Sequence, residues 1–230
     1  MAHKDWPRST RPVVMGTCHM VSAGHYLAAA AGFRILEAGG NAVDAGIAAG
    51  LCINVTQADL TNLGGVAPII MYLADSATVE TISGLGWWPK AANIEFFQRK
   101  QGGRIRRGIC RCVMPAAIDA WLTALERHGT LTFAEVAAPA IQLADEGFPM
   151  HDVMWDTLSP PSTLEAMRQW PSTRAVFLPH GHPIPLGARV VQKDLAKTLR
   201  MLMEAEEGAT SRETGIRAAR NRFYTGDIAE

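Results

Sequence analysis

The chain has 230 residues, of which 48% are hydrophobic and 19% are charged, so it can bury a sizeable core as one large domain or as part of a bigger one. Its 22 Lys and Arg residues balance its 22 Asp and Glu residues, and a net charge of zero argues against a nucleic-acid partner. The apolar stretches are shorter than the roughly 20 residues of a membrane span, so no membrane partner is expected either.

The N-terminal residues lack the apolar core of a secretory signal, so we expect a cytoplasmic protein unless a leader was removed. The four cysteines, Cys18, Cys52, Cys110 and Cys112, do not have the usual spacing of zinc ligands. We therefore expect reduced cysteines, with neither a metal site nor a cofactor.

The beginning of the chain predicts a strand followed by two helices. Residues 13–22 mix β-branched and small side chains and predict an early strand. Apolar residues at helical spacing over residues 25–38 predict a helix that Gly39 and Gly40 end as C-terminal caps. A second helix starts at Asn41, and its small apolar side chains on all sides predict burial among close neighbours.

The next segment predicts a β-hairpin. The apolar run Ile69–Leu73 suits a buried strand, and a turn at Asp75 and Ser76 leads to a second strand at Thr78–Ile82.

The rest of the chain has mainly helical patterns. Apolar spacing predicts helices at residues 91–100, 116–127, 133–145 and 195–206. Thr132 precedes the third of these with Glu135 three residues later, which is the pattern of a capping box. Six prolines within residues 159–187 predict a long loop there.

Three motifs follow one another in a family-specific order. Residues 20–59 contain GGNAVDA after a helical segment, MPAAIDAW at residues 114–121 is similar to VPGAVDGW, and FYTGDIA at residues 223–229 is similar to FYxGxIA. Together they resemble the front part of the large subunit of the gamma-glutamyltranspeptidase family, and the resemblance covers nearly the whole chain.

This resemblance implies an α+β fold. The chain would form part of the four-layer αββα sandwich of N-terminal-nucleophile hydrolases, mostly as helices with a few strands, and residues 1–230 would be a partial large-subunit domain. It also implies a precursor that cuts itself into a large and a small subunit. The nucleophilic Thr at the start of the small subunit attacks an amide carbonyl with its own α-amine as base, and backbone N–H groups hold the oxyanion.

No residue of this chain matches that Thr, so we assign no catalytic residue and expect the chain alone to be inactive. The expected partners are a small subunit that carries the Thr and a small-molecule amide substrate. Since the family's large subunit continues beyond the position of Glu230, the chain is expected to be a fragment, a shortened subunit or a chain whose continuation was cut away. The alternative function is a pseudoenzyme that acts as a binding or scaffold subunit.

Individual residues in and near the first motif are expected to have structural roles. Asn41 and Asp44 in GGNAVDA are expected to cap and turn the chain rather than to react. His25, at a helix start, is expected to be a structural imidazole with its hydrogen bonds satisfied rather than a catalytic base.

The substrate prediction depends on one departure from the family. Its RETAP-like stretch contains an Arg that holds the α-carboxylate of a glutamyl group, whereas this chain has Leu85, Gly86, Trp87, Trp88 and Pro89 there, with Leu85 in the Arg position. The resemblance thus predicts a substrate that is not a gamma-glutamyl compound, with Leu85, Trp87 and Trp88 as its contacts. The competing interpretation is that at least one of the two tryptophans packs in the core.

A short basic cluster follows this stretch, made of Arg104, Arg106, Arg107 and Arg111. Such a cluster is most often a solvated face, although it could also pair with a carboxylate. The sequence contains no GxGxxG fingerprint, P-loop or GxSxG nucleophile elbow, so other common catalytic frameworks find no support.

Overall fold

The computed structural model describes residues 13–106 and 108–230. The helices of this part are α1 (Tyr26–Glu37), α2 (Ala42–Thr56), α3 (Ile94–Gln101), α4 (Ala117–His128), α5 (Phe133–Glu146), α6 (Asp152–Leu158), α7 (Pro161–Arg168), α8 (Pro171–Phe177), α9 (Lys193–Glu204) and α10 (Arg212–Thr225). The strands are β1 (Ile69–Leu73), β2 (Thr78–Ile82), β3 (Phe148–Pro149) and β4 (Arg189–Val190). The predicted α+β class is confirmed, and no helix of the described residues has the length and apolar character to cross a membrane.

Two glycines end α1 as predicted. The N–H of Gly39 donates to the carbonyl of Leu36 at 3.1 Å, and the N–H of Gly40 donates to the carbonyl of Ile35 at 3.0 Å. This pair of bonds is a Schellman cap, and it needs a left-handed residue at Gly39, whose φ is 95°. The cap turns the chain sharply into α2.

Small side chains let α1 and α2 approach closely. A Cβ added to Gly32 of α1 would lie 2.9 Å from the carbonyl oxygen of Ala45 and 3.3 Å from the Cβ of Ala49, both in α2. Because α2 also packs against α4 and α5, it is buried on most sides, which confirms the prediction from its composition.

The remaining helices build one core around this pair. Helix α9 lies on α5, and α10 packs against both α4 and α9. Thr132 and Glu135 cap the start of α5 in the predicted capping box. The largest fully buried side chains include residues from several of these elements: Leu51, Ile118, Leu122, Leu125, Phe133, Phe148, Leu199 and Ile216.

The hairpin forms with the predicted strands, and Ile69 pairs with Ile82. Its burial differs from the prediction, because Ile70 is 76% exposed and Tyr72 is 67% exposed. Alternate side chains point to opposite faces of a strand, so one face, with Ile69 and Met71, meets the helical core and the other does not. The prediction of a buried strand was therefore wrong for one of the two faces of β1.

Two other predictions were wrong. Residues 13–22 contain no strand, and within the described residues they have no neighbouring strand to pair with. The predicted loop at residues 159–187 holds α7 and α8. Pro161 and Pro171 each stand in the first turn of their helix, where a missing N–H costs nothing and the fixed φ favours helix.

Candidate functional site

The loop that follows β2 forms one wall of a cavity of about 530 Å³. The segment before α4 and one side of α10 form the other walls. The lining residues include Leu85, Trp87, Pro115, Asp119, Arg220 and Tyr224.

Two glycines allow this loop to pass close to its neighbours. Gly84 has a φ of 54° and Gly86 a φ of 68°, and a Cβ at either would lie 2.2 Å from a carbonyl oxygen, of Ala67 and Met114 respectively. Backbone hydrogen bonds tie the same segment down, including one from the N–H of Met114 to the carbonyl of Trp87 at 2.8 Å. The loop is therefore fixed in place, with Leu85 and Trp87 at the cavity.

The three predicted substrate contacts separate into two groups. Leu85 is 55% exposed and Trp87 is 86% exposed, and both line the cavity. Trp88, 42% exposed, does not line it and instead lies against Phe97 of α3, with ring centroids 5.2 Å apart. Neither tryptophan is buried in the core. The structure thus brings Leu85 and Trp87 together and places Trp88 elsewhere, while their contact with substrate stays a prediction.

Tyr224 fastens α10 to the start of α4 beneath the cavity. Its hydroxyl donates to the carbonyl of Pro115 at 2.8 Å and accepts from the N–H of Asp119 at 3.1 Å. Burial of the phenol raises the pKa of Tyr224 above its ordinary value, so the hydroxyl keeps its proton at neutral pH. Tyr224 belongs to the FYTGDIA motif, and the hydrogen bonds give that motif a structural role.

Arg220 is a cavity residue that the sequence did not reveal. It lies on α10, and its Nε donates to the carboxylate of Asp119 on α4. The sequence does contain a charge pattern that points to Arg220, because Arg217 and Arg220 are one turn apart and could face the acidic Glu126 and Asp119 of α4. It could not be used without knowing that the two helices pack together.

The GGNAVDA motif holds the turn between α4 and α5. The fully buried carboxylate of Asp44 accepts hydrogen bonds from the N–H of Asn41 at 2.8 Å, the hydroxyl of Thr130 at 2.7 Å and the N–H of Leu131 at 3.2 Å. Asn41 caps α2 and also donates from its amide to the carbonyl of His128 at 2.6 Å. The prediction that Asn41 and Asp44 act as caps is confirmed.

His25 is the N-cap of α1, where its Nδ1 accepts the N–H of Leu27 at 3.2 Å. This confirms a structural role, but its buried Nε2 has no hydrogen-bond partner within the described part of the chain, so the imidazole is not fully satisfied. Burial, and then the neighbouring imidazole of His151, lower the pKa of His25 below its ordinary value.

The described residues of the basic cluster are absent from the cavity lining. Arg104, Arg106 and Arg111 are exposed, and Arg111 donates to the carbonyl of Ile105 at 3.2 Å. Arg107 lies outside the described residues. The described members of the cluster therefore form a solvated face and do not line the cavity with Leu85.

The cysteines are free thiols, with Cys52 buried and Cys18 and Cys112 exposed. Burial raises the pKa of Cys52 to about 12, so this thiol is an unreactive core residue. The part of the chain that the structure describes has no group of three or more His, Cys, Asp or Glu side chains arranged to hold a metal ion.

Comparison with known proteins gives the family. The family model described as gamma-glutamyltranspeptidase matches residues 28–230 of the chain. The chain belongs to the gamma-glutamyltranspeptidase family. This confirms the resemblance that the three motifs carry.

Individual relatives agree with this assignment. The chain is 33% identical over 219 residues to the glutathione hydrolase-like YwrD proenzyme of Bacillus subtilis, a match that covers 94% of this chain and 38% of the relative. It is 33% identical over 203 residues to the acylase ACY 1 proenzyme of Pseudomonas sp. (strain SE83), covering 84% of this chain and 36% of the relative. The chain thus spans little more than a third of these curated relatives.

A solved structure supports the same fold. The gamma-glutamyltranspeptidase of Helicobacter pylori has 25% sequence identity to the chain and a TM-score of 0.80, over 95% of this chain and 59% of that one. Members of this family are N-terminal-nucleophile hydrolases, and the chain shares the fold of such enzymes.

Proposed function

We propose that this chain is the large-subunit portion of an amidohydrolase or acyltransferase that prefers an amide other than a gamma-glutamyl compound. The observation that carries the proposal is the cavity wall formed by Leu85 and Trp87. Leu85 stands in the position that corresponds to the family's carboxylate-binding Arg, and its side chain offers apolar contact instead of a charged hydrogen-bond donor.

The chemistry belongs to a small subunit that begins with a Thr. The hydroxyl of that Thr attacks the amide carbonyl, its α-amine takes the proton, and the amine product leaves from the tetrahedral intermediate. Water or a second amine then resolves the acyl-enzyme. The contribution of this chain is to hold the acyl group against Leu85 and Trp87 while the attack occurs.

The exposed face of the hairpin supports the existence of such a partner. Ile70, Tyr72 and Val79 are apolar side chains on adjacent strands, and all three are exposed. A contiguous apolar face of this kind marks an interaction surface more often than a free surface. We propose that the small subunit covers it.

The absence of a guanidinium at position 85 determines how much weaker the selection of a gamma-glutamyl substrate is expected to be. A charged hydrogen bond to a carboxylate is worth about 1.5 to 3 kcal/mol, so its loss weakens selection of a gamma-glutamyl group roughly ten- to a hundredfold. An apolar acyl group loses nothing by the change, because it gains contact with the leucine and indole side chains. The YwrD and ACY 1 relatives, named as glutathione hydrolase-like and as acylase, are consistent with either class of amide.

The test compares kcat/KM for a gamma-glutamyl anilide and for a phenylacetyl anilide in the assembled enzyme. We expect the wild type to prefer the phenylacetyl compound and Leu85→Arg to shift the ratio toward the gamma-glutamyl compound by roughly tenfold or more. Leu186→Arg is the matched control, because Leu186 is also 55% exposed but does not line the cavity. A strong wild-type preference for the gamma-glutamyl anilide that Leu85→Arg leaves unchanged contradicts the proposal.

A further inference from the structure

Two arginines of α10 make nearly the same contact with α4 but have different surroundings. Arg217 pairs with Glu126 at 2.6 Å, and one turn later Arg220 pairs with Asp119. Both side chains are partly exposed. Arg220 lines the cavity that contains Leu85 and Trp87, whereas Arg217 does not.

The guanidinium of Arg220 is held in place and has donors left over. Its Nε donates to Asp119, and its two terminal nitrogens make no hydrogen bond with the described residues. The backbone of Asp119 is itself held, because its N–H donates to the hydroxyl of Tyr224. An arginine has five N–H donors in a planar fork, so four remain for a ligand in the cavity.

We propose that Arg220 binds a carboxylate of the acyl group, so that the preferred substrate combines an apolar part with a carboxylate. The apolar part contacts Leu85 and Trp87, and the carboxylate accepts hydrogen bonds from the terminal nitrogens of Arg220. This proposal rests on the proposed function. Anion recognition is then supplied by α10 instead of by the loop after β2, which changes where on the acyl group the carboxylate must lie.

The charge of Asp119 limits the strength of this contact. Its carboxylate neutralises part of the field of Arg220, and the pair is partly exposed to solvent. We therefore expect an effect near the lower end of the range for a charged hydrogen bond, roughly tenfold.

The kinetic test uses the assembled enzyme and the anilide of 4-carboxyphenylacetic acid beside the anilide of its methyl ester. We expect Arg220→Gln to lower the ratio of kcat/KM for acid over ester roughly tenfold, mainly through the KM of the acid. Arg217→Gln removes a similar ion pair and should leave the ratio unchanged. Arg220→Lys keeps the charge and should recover part of the loss. An equal change of the ratio in both glutamine variants, or no change in either, overturns the proposal.

A binding test separates this proposal from the proposed function. 4-Nitrophenylacetate is an aromatic carboxylate that quenches tryptophan fluorescence, and Trp87→Phe identifies the signal from the cavity. We expect Arg220→Gln to raise the Kd for this probe roughly tenfold and Arg217→Gln to leave it unchanged. Binding that depends on Arg220 in an enzyme that cleaves no amide overturns only the proposed function. Cleavage of amides with binding that is independent of Arg220 overturns only the present proposal.

Discussion

The buried carboxylate of Asp44 accepts a hydrogen bond from the hydroxyl of Thr130 at 2.7 Å and thereby joins the start of α2 to the turn before α5. Asp44→Ala leaves several buried donors without an acceptor and should cost about 3 kcal/mol or more in the free energy of unfolding. Thr130→Val removes a single hydroxyl and should cost about 1 kcal/mol. Urea unfolding of the assembled enzyme measures both, and equal losses would contradict the central role of Asp44.

Gly86 should tolerate no side chain. Gly86→Ala places a Cβ 2.2 Å from the carbonyl oxygen of Met114, so the loop must move and the cavity wall with it. Gly102 is the control, because its φ of 64° is similar to the 68° of Gly86 but no atom lies within 4 Å of its added Cβ. We expect Gly102→Ala to cost about 1 kcal/mol and to leave KM unchanged, whereas Gly86→Ala should cost more and raise KM. Thermal unfolding and anilide kinetics provide the two measurements, and equal effects would contradict the prediction.

Glu206 should give the protein a pH-dependent stability. Its carboxylate accepts the N–H groups of Phe133 and Ala134 at the start of α5, and burial raises the pKa of this carboxyl above its ordinary value of 4.5. The folded state therefore holds the proton more tightly than the unfolded state. The contribution is fully present below pH 4.5 and is lost as the pH rises through the raised value.

Glu206→Gln removes this titration. The difference in Tm between wild type and Glu206→Gln should become less favourable to the wild type as the pH rises from about 4 to about 7. The control is Glu207→Gln on an exposed neighbouring residue, which should show no such trend. A constant difference across this pH range would contradict the prediction.

The 230-residue chain alone should expose apolar surface. Ile70 and Tyr72 have no cover within the described residues, so the isolated chain should bind a hydrophobic dye and unfold without a sharp transition. Replacing both residues with Thr should reduce dye binding and also weaken assembly with the proposed small subunit. A sharp, cooperative thermal transition of the lone wild-type chain would count against this expectation.

The same isolated chain should have no amidase activity. Within the described residues, no Ser, Thr or Cys side chain hydrogen-bonds to a histidine, and the hydroxyls of Thr130 and Thr132 that bond to carboxylates stand at helix starts. His25 faces His151 instead of a hydroxyl or thiol. Hydrolysis of a chromogenic anilide above the level of a heat-killed control would show that a nucleophile is present after all.

Features that depend on neighbouring residues could be predicted from the sequence. The capping boxes at Asn41 and Thr132 need only the residue three positions later, and the Gly39–Gly40 cap needs only local backbone freedom. The hairpin strands likewise follow from a short apolar run and a turn. Local chemistry decides these features, so the structure agrees with the sequence to within a few residues.

Features that depend on distant residues could not be predicted. Helix α10 is polar, so its pattern gives little sign of a buried face. Arg220 and Leu85 line the same cavity only because α10 packs on α4. Prolines at the starts of α7 and α8 indicate loops and helix starts equally well. The sequence predicts a buried β1, but one face of β1 is exposed in this chain. Apolar composition does not say whether the same chain or another chain covers a strand face.

The position of α10 near the end of this sequence makes its wall of the cavity the last one to be synthesised. The loop with Leu85 and Trp87 leaves the ribosome long before α10. The hydroxyl of Tyr224 on α10 can donate to the carbonyl of Pro115 only after α10 has been made. At roughly 5 to 20 residues per second, α10 follows the loop by on the order of ten seconds, and until then the carbonyl of Pro115 lacks the hydroxyl of Tyr224. A nascent chain in that interval has the loop but not the opposite wall, so the cavity lined by Leu85 and Trp87 forms only when α10 packs on α4.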